Sequence, residues 1–472
     1  MKIIVRAQLV TDWGEVTEVD VATFSRPAFG LNADTLGLTL ADGKALLQQL
    51  QQAISGAQAD EHCNLHRVCQ CCHRWNPIKD YRLRKIDTVF GTVSLRSSRI
   101  VSCPCEPPWY LELPVSPLVP LFRERATPEL QLLEAKLCAS LSYRRAASLL
   151  REFLPVSAKF NHVTLRNRAL RVGQRIDGIS SSIDQAASTA PRAGWSIAID
   201  GGFVRGVGRG ELRNFEILTG RLASPHSKPY VFAWVGSQAT GAAERVSILV
   251  RARTGSMSPK LCIVTDGANN TLSIRQALPF PTTPVLDWFH ISMKIRHVEQ
   301  IARGLRPRTE TERSTKNLLA VDLGRLRWCL WHNNASKLDK TLRQILLMCR
   351  IVVSETPGFQ EVLGRIDYRI RDVLSYVLRN SAKPVAYGRR HRKGQAISSA
   401  MAESAVNQVI NARMCKRQQM RWTPRGAHLL AQVRCAVLNG DAAEKLRAFE
   451  AANAYRVDPE VEQFLERLQR AA

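Results

Sequence analysis

The chain has 472 residues, of which 45% are hydrophobic and 23% charged. This composition is typical of globular protein and argues against extensive disorder, and the length predicts two to four domains. No apolar run reaches the roughly eighteen residues that a membrane span needs, and acids interrupt the first residues, where a signal peptide would be apolar. We therefore expect a cytoplasmic protein.

The charge balance is strongly basic, with 67 Lys and Arg against 41 Asp and Glu and a net charge of +26. Such a surplus indicates a polyanionic partner. A membrane surface is the competing partner, but proteins that bind one usually carry a basic amphipathic helix with an aromatic face, and no convincing example occurs here. We expect the partner to be nucleic acid.

Residues 1–60 begin with two strand-like segments, KIIVRAQLV and EVTEVDVATF. A helical run, LADGKALLQQLQQAIS, follows them. These patterns predict a small α/β segment. The sequence assigns it no role.

Residues 61–112 hold half of the 12 cysteines. Cys69 and Cys72 form a C-x-x-C pair, and Cys103 and Cys105 form a second close pair. Two strand candidates, IDTVFGTVSL and SRIVS, lie between the pairs. Two sulfur pairs separated by a hairpin are the layout of a zinc ribbon with tetrahedral ligation by four cysteines. The sequence predicts a structural Zn²⁺ on these four thiols, with unliganded reduced thiols as the alternative.

Neighbouring side chains leave the zinc ligand set open to substitution. The alternative ligands are Cys63, His66, Cys71 and His73. Basic residues also flank the cluster, and they suit contact with DNA or with a partner subunit. They are His73, Arg74, Arg82, Arg84, Lys85, Arg96 and Arg99.

Residues 113–192 begin in a Pro-rich linker and continue as three helical segments. Thr127-Pro128-Glu129 is a helix-start signal, because it offers a capping hydroxyl, a proline in the first turn and an acid. Two short helices followed by a basic third one are typical of a helix-turn-helix, whereas a plain three-helix bundle is the alternative. The third helix would present these residues to a DNA groove: Asn161, Thr164, Arg166, Asn167 and Arg168.

From residue 193 the pattern predicts the order β-β-β-α-β-α-β-α. Asp200 follows the apolar run WSIAI, Asp266 follows LCIVT, and each precedes a glycine. Carboxylates at the ends of neighbouring strands are suitable ligands for two Mg²⁺ ions in phosphoryl transfer. An Asp-Gly pair at the end of a strand more often marks a simple turn. The strand order makes the metal-site interpretation the better one.

Residues 306–390 are predicted to be helical throughout. Beyond them, Glu403 is the single acid among ten Arg and Lys from Arg389 to Arg434. It is either an ion-paired structural residue or a third metal ligand in a DNA-facing segment. The candidate phosphate contacts, for which a solvated charged face is the default, are Arg389, Arg390, Arg392, Lys393 and Arg421.

Several blocks resemble bacterial insertion-sequence DDE transposases of the ISKra type. They are LDWFHISM at 286–293, AESAVN at 402–407, QMRWT at 419–423, Gly426-Ala427, LNG at 438–440 and SYRRAA at 142–147. The resemblance extends over most of the chain, including the cysteine region. It implies a multidomain α+β protein with an RNase H-like catalytic core, interrupted by an all-helical insertion and preceded by a zinc ribbon and a helix-turn-helix.

The resemblance also implies roles for individual residues. Asp200, Asp266 and Glu403 match the three catalytic acids, which hold two Mg²⁺ or Mn²⁺ ions. His290 matches the histidine of an Asp-x-x-His signature that acts near the scissile phosphate or the flanking strand, and a structural role is the alternative. The core comprises residues 193–305 and 396–440, residues 306–395 are the insertion, and residues 441–472 are a helical tail.

We therefore expect a transposase that binds the double-stranded ends of an insertion sequence, cleaves them and joins them to target DNA as a homodimer or larger oligomer. A nuclease that cuts without joining, or a non-catalytic DNA-binding regulator, is the alternative.

Overall fold

The computed structural model divides into two compact units, residues 1–176 with 441–472 and residues 177–440. It describes the whole chain except residues 12–13, 27–28, 30–31, 35, 70, 106–113, 115, 123, 158–159, 183–193, 225–226, 237–238, 268, 352–355, 381–384, 416–417, 419 and 453–472. Much of the expected Pro-rich linker and most of the expected C-terminal tail lie outside the described residues. No helix in the described ranges is long and apolar enough to cross a membrane.

The first unit begins with two β-hairpins separated by a long helix. Its first elements are β1 (Lys2–Val10), β2 (Val16–Ser25), α1 (Leu40–Leu65), β3 (Ile78–Thr88), β4 (Gly91–Ile100) and α2 (Leu118–Leu121). Thr39 and Asp42 form a capping box that begins α1. A small apolar core joins Ala59 of α1 to Ile86 and Leu95 of the second hairpin.

The second hairpin corrects one sequence prediction. The segment IDTVFGTVSL, expected as a single strand, contains the hairpin turn, because β3 ends at Thr88 and β4 starts at Gly91. Gly91 has a φ of +111°, a backbone conformation that residues other than glycine rarely adopt. The apolar run on both sides of the turn hides it from a pattern based on hydrophobicity.

The three helices predicted for residues 127–183 are confirmed. They are α3 (Pro128–Ser140), α4 (Tyr143–Phe153) and α5 (His162–Ser182). Thr127 and Ser142 cap the first two by accepting hydrogen bonds from the N–H groups of Leu130 and Arg145. The last described helix of the unit, α15 (Ala442–Ala452), packs against α3.

The second unit is built on a five-stranded mixed sheet with strand order β7-β6-β5-β8-β9. Its strands are β5 (Trp195–Arg205), β6 (Asn214–Ser224), β7 (Ser227–Trp234), β8 (Leu261–Thr265) and β9 (Thr282–Leu286). β5, β6 and β7 are antiparallel neighbours, whereas β8 and β9 run parallel to β5. The predicted order of strands and helices is confirmed.

Helices cover both faces of this sheet and extend well beyond it. They are α6 (Ala239–Thr254), α7 (Asn269–Ala277), α8 (Trp288–Arg303), α9 (Glu310–His332), α10 (Ala335–Ile351), α11 (Gln360–Asn380), α12 (Tyr387–Arg392), α13 (Ala400–Val406), a π-helical segment (Asn407–Cys415) and α14 (Pro424–Asn439). Ile197 and Ile199 face a core shared with α6 and α7. Ala198 faces the opposite core, which contains α8 to α11 and Ala402. The helical region 306–395 therefore shares its core with the sheet.

Candidate active site

Asp200 lies on β5, and Asp266 directly follows the neighbouring parallel strand β8. Ala198 of β5 is paired with Val264 of β8, and each aspartate follows its strand partner by two residues, so the two carboxylates are at the same level. The prediction that the first strand of the second unit, β5, ends at Asp200 is wrong. β5 runs on to Arg205 because its antiparallel pairing with β6 continues through the two glycines.

Glu403 reaches this sheet face from α13. Side chains two residues apart on a strand share a face, so Gly202 lies on the same face as Asp200. A methyl group at Gly202 would come within 3.1 Å of Val406 and 2.5 Å of Ile410, so α13 and the π-helical segment pack directly over β5. The absence of a side chain at Gly202 therefore allows the helix to pack closely over the strand. Glu403, one turn before Val406, is exposed.

Asp287 joins the beginning of α8 to the beginning of α13. Its carboxylate is fully buried and accepts hydrogen bonds from the N–H of Phe289 at 2.7 Å, Nδ1 of His290 at 2.7 Å and Oγ of Ser399. The carbonyl of Ser399 in turn accepts the N–H of Glu403 at 2.9 Å. One buried carboxylate thus positions both His290 and the helix that carries Glu403.

Electrostatic interactions connect Asp200, Asp266, Glu403 and His290. Burial raises the pKa of Asp200 above its ordinary value, and the negative charges of Asp266 and Glu403 raise it further, while the Gly201 N–H and the charge of His290 oppose the shift. The hydrogen bond to Asp287 raises the pKa of His290, and the charges of Asp266 and Asp200 add to this effect. His290 is therefore biased towards its cationic form beside three carboxylates.

Two tyrosines of the helical insertion form hydrogen bonds with the backbone near the candidate metal ligands. The hydroxyl of Tyr376 on α11 donates to the carbonyl of Asp266 at 2.6 Å, and the hydroxyl of Tyr387 donates to the carbonyl of Leu286 at 2.8 Å. Neither tyrosine was identified from the sequence, and neither was Ser399. Each is over 100 residues from its partner, so no local pattern could reveal these contacts.

The four predicted zinc ligands converge on one point. The Sγ atoms of Cys69, Cys72, Cys103 and Cys105 all lie within 4.8 Å of one another. Cys69 and Cys105 are 3.3 Å apart, and Cys72 and Cys103 are 3.4 Å apart. Tetrahedral Zn–S bonds of about 2.3 Å would separate the sulfurs by about 3.8 Å, so the cluster fits zinc with a small expansion. The three carboxylates do not form so close a group among the described side chains.

The pKa values of these thiols reflect how closely the thiols are packed. A hydrogen bond from the backbone of Arg74 lowers the pKa of Cys72 to about 7. Hydrogen bonds with Cys103 and Cys69 raise the pKa of Cys105 instead. Four thiols this close together do not ionise independently, and a divalent cation would relieve their mutual repulsion.

Some of the α5 residues that were predicted to contact DNA are accessible, and one is buried. Arg166 and Asn167 are exposed on α5, and Thr164 lies partly exposed near its start. Arg168 departs from the expectation, because its guanidinium forms ion pairs with Asp87 and, at 3.0 Å, with Glu134, and the side chain is only 7% exposed. Arg168 therefore holds β3, α3 and α5 together and offers no donor to a groove.

Among the residues predicted to contact phosphate, one is partly buried and the others are exposed. Arg390 is partly buried, with Nε donating to the carbonyl of Ala396 at 3.1 Å and a second donor 3.0 Å from the sulfur of Cys262. The others are exposed: Arg389, Arg392, Lys393 and Arg421.

Comparison with known proteins adds little to this geometry. No protein-family model matches the chain, and no curated protein matches it. A solved structure, the Drosophila P element transposase strand transfer complex, covers 68% of this chain and 94% of its own with 10% identity and a TM-score of 0.34. At that score the likeness carries no argument, so the ISKra resemblance stays a prediction.

Proposed function

We propose that this chain is a DNA transposase with an RNase H-like core, in which Asp200, Asp266 and Glu403 are the catalytic acids. The observation that carries the proposal is the position of Asp200 on β5 and of Asp266 directly after the neighbouring parallel strand β8, each two residues beyond a paired position, under the helix that bears Glu403. The strand order, with three antiparallel strands followed by two parallel ones, supports the same core.

The residues present fit divalent cations. Carboxylate oxygens are the ligands that Mg²⁺ and Mn²⁺ prefer, and burial together with the like charges of Asp266 and Glu403 raises the pKa of Asp200. Two such ions, when bound, would stabilise the attacking and leaving oxygens of an in-line displacement at phosphorus. His290 would then donate to a phosphate oxygen from its Nε2 atom, because Asp287 occupies Nδ1.

Other parts of the chain would recognise the DNA. Accessible donors on α5, which are Thr164, Arg166 and Asn167, would read base edges at the ends of the element. The zinc ribbon would stabilise the same unit, and we expect the protein to act as a homodimer or larger oligomer. The exposed phosphate contacts would be Arg389, Arg392, Lys393 and Arg421.

A strand-transfer assay distinguishes the proposal from its two rivals. The purified protein is incubated with Mg²⁺, DNA carrying the element's ends and a target plasmid. We expect nicked ends and joined products, and the Asp266→Ala variant should form neither while binding the same DNA. Cleaved ends without joined products would identify a nuclease. Binding without cleavage by the wild-type protein would identify a regulator.

A further inference from the structure

The outer face of the β3–β4 hairpin is an unexplained surface, which we call the ribbon face and define by Tyr81, Leu83, Lys85 and Arg96. Leu83 is paired across the strands with Arg96, and Tyr81 and Lys85 flank Leu83 on the same side of β3. The inner face packs on α1 and α2. Leu83 is 75% and Tyr81 48% exposed.

Cations dominate this hairpin. The acids of the two strands are Asp80 and Asp87, and both are already ion-paired, with Arg99 and Arg168. Arg84 is also engaged, because it donates to the carbonyl of Phe122 on the inner side. Within the described part of the chain, the remaining basic residues of the hairpin, Lys79, Arg82, Lys85 and Arg96, form no salt bridge, and the charge of Asp80 reaches only Lys79 and Arg82. The ribbon face therefore carries uncompensated positive charge around an exposed leucine.

The face is rigid as well as basic. The side chain of Gln52 on α1 bonds to both the N–H and the carbonyl of Ser94, at 2.8 and 3.0 Å, and so fixes the edge of β4. The cysteine cluster closes one end of the hairpin, and Asp87 anchors the other through Arg168. On the surface itself, the guanidinium of Arg96 stacks 3.7 Å from the ring centre of Tyr81.

Dimensions and charge both match duplex DNA. Two paired strands are about 4.8 Å apart, and the major groove, about 12 Å wide, admits a two-stranded ribbon. We propose that the ribbon face enters the major groove of DNA, as a recognition element separate from α5. This assignment rests on the proposed function, since it requires a DNA substrate.

The side chains of the ribbon face would divide the contacts between them. Arg96 would donate to a guanine edge or a phosphate, and Lys85 would contact the backbone. Leu83 would pack against a thymine methyl group, which gives its exposed side chain a partner. Because it already stacks on the ring of Tyr81, the guanidinium of Arg96 loses little freedom on binding.

The test measures binding of the full chain to duplex DNA and to single-stranded DNA of the same sequence, over a series of salt concentrations. Arg96→Gln should weaken duplex binding roughly tenfold and lower the salt slope by about one. Leu83→Ala should weaken binding with the salt slope unchanged. The matched control is Arg365→Gln, which removes the same charge from an exposed site on α11 and should have no effect.

Several outcomes would overturn the assignment. Equal affinities for Arg96→Gln and Arg365→Gln would do so, as would single-stranded DNA binding as tightly as the duplex. Lys85→Gln provides a second variant if Arg96→Gln does not keep the thermal unfolding midpoint of the wild type. A wild-type protein that neither binds nor cuts duplex DNA would overturn the proposed function. A protein that cuts DNA but tolerates Arg96→Gln would overturn only the role of the ribbon face.

Discussion

Asp287 is the residue on which the geometry of the candidate site most depends. Hydrogen bonds from His290, Ser399 and the Phe289 backbone outweigh the effect of burial and hold the pKa of Asp287 below its ordinary value. The carboxylate is therefore ionised inside the protein. It also touches no substrate atom in the site as proposed, so its contribution is to position other groups.

Asp287→Asn should slow DNA cleavage by about ten- to a hundredfold, the usual cost of removing a group that orients a site residue. The amide keeps the shape but has only one oxygen. It cannot accept the bonds from His290 and Ser399, which share one carboxylate oxygen, together with the bond from the Phe289 N–H to the other oxygen. The measurement is the single-turnover rate of end cleavage, with DNA affinity measured in parallel and expected to stay unchanged. Asp367→Asn, in a surface pair with Arg371 on α11, is the control. A wild-type rate in Asp287→Asn would contradict this role.

At the scale of elements, the cysteine cluster links the segment before β3 to the segment after β4. A cation bound there would close a loop of more than 30 residues and so would restrict the unfolded chain. Cys71 lies beside this cluster, is exposed and is not one of its four members.

We expect one zinc ion per chain, measured by elemental analysis of protein purified without chelators. Cys72→Ser should lose the metal and lower the thermal unfolding midpoint, since Zn²⁺ binding energy in such sites is folding energy. Cys71→Ser should keep the metal and the thermal unfolding midpoint of the wild type. If Cys71→Ser lost the metal and Cys72→Ser retained it, the ligand set would be wrong.

Asp177 at the end of α5 links two other helices of the second unit. It accepts hydrogen bonds from Arg245 on α6 at 2.8 Å and from His428 on α14 at 3.1 Å. Burial raises the pKa of Asp177, but these partners outweigh it and lower the pKa to about 2. A pKa below the ordinary value means that the folded state favours the charged form.

The contribution of these two pairs to the free energy of unfolding should be present above pH 4. It should be lost as the pH falls towards 2, because protonation of Asp177 breaks both pairs. Since solvent screens this partly exposed group, the shift corresponds to about 1 to 2 kcal/mol. Denaturant unfolding between pH 3 and 7 should show Asp177→Asn destabilised by this amount at neutral pH and less sensitive to acid. The exposed pair of Asp339 and Arg343 supplies the control, Asp339→Asn, which should change little. An unchanged acid profile in Asp177→Asn would refute the linkage.

At the scale of the whole molecule, periodicity predicted most elements because each strand and helix pairs a local pattern with one buried face. The three helices of residues 127–183 and the strand order around Asp200 are examples. The Val89-Phe90 turn was missed because apolar residues run through it. The extension of β5 beyond Asp200 was missed because it depends on pairing with β6.

Basic residues were harder to interpret than strands. Arg413 and Arg434 belong to the segment that the sequence suggested as DNA-facing, yet both are buried. Nε of Arg434 donates to the carbonyl of Val409 at 2.7 Å and thereby satisfies a backbone group of the π-helical segment. The net charge supports the prediction of a nucleic-acid partner, but it could not separate internal hydrogen-bond donors from surface contacts, because burial depends on tertiary packing.

The net charge of +26 is expected to give DNA binding that weakens steeply with salt, whichever residues make the contacts. Salt dependence alone therefore cannot test the catalytic assignment. A direct test must change the metal ligands themselves while the charge of the remaining protein stays almost constant.

Asp266→Cys provides that test, since a thiolate is a softer ligand and suits Mn²⁺ better than Mg²⁺. The measurement is the rate of end cleavage in each metal, with Asp372→Cys on α11 as the control. We expect the cleavage rate of Asp266→Cys to fall about a hundredfold or more in Mg²⁺ and to recover a substantial part in Mn²⁺, whereas the control behaves as wild type. Cleavage by Asp266→Cys in Mg²⁺ at the wild-type rate would contradict metal ligation by Asp266.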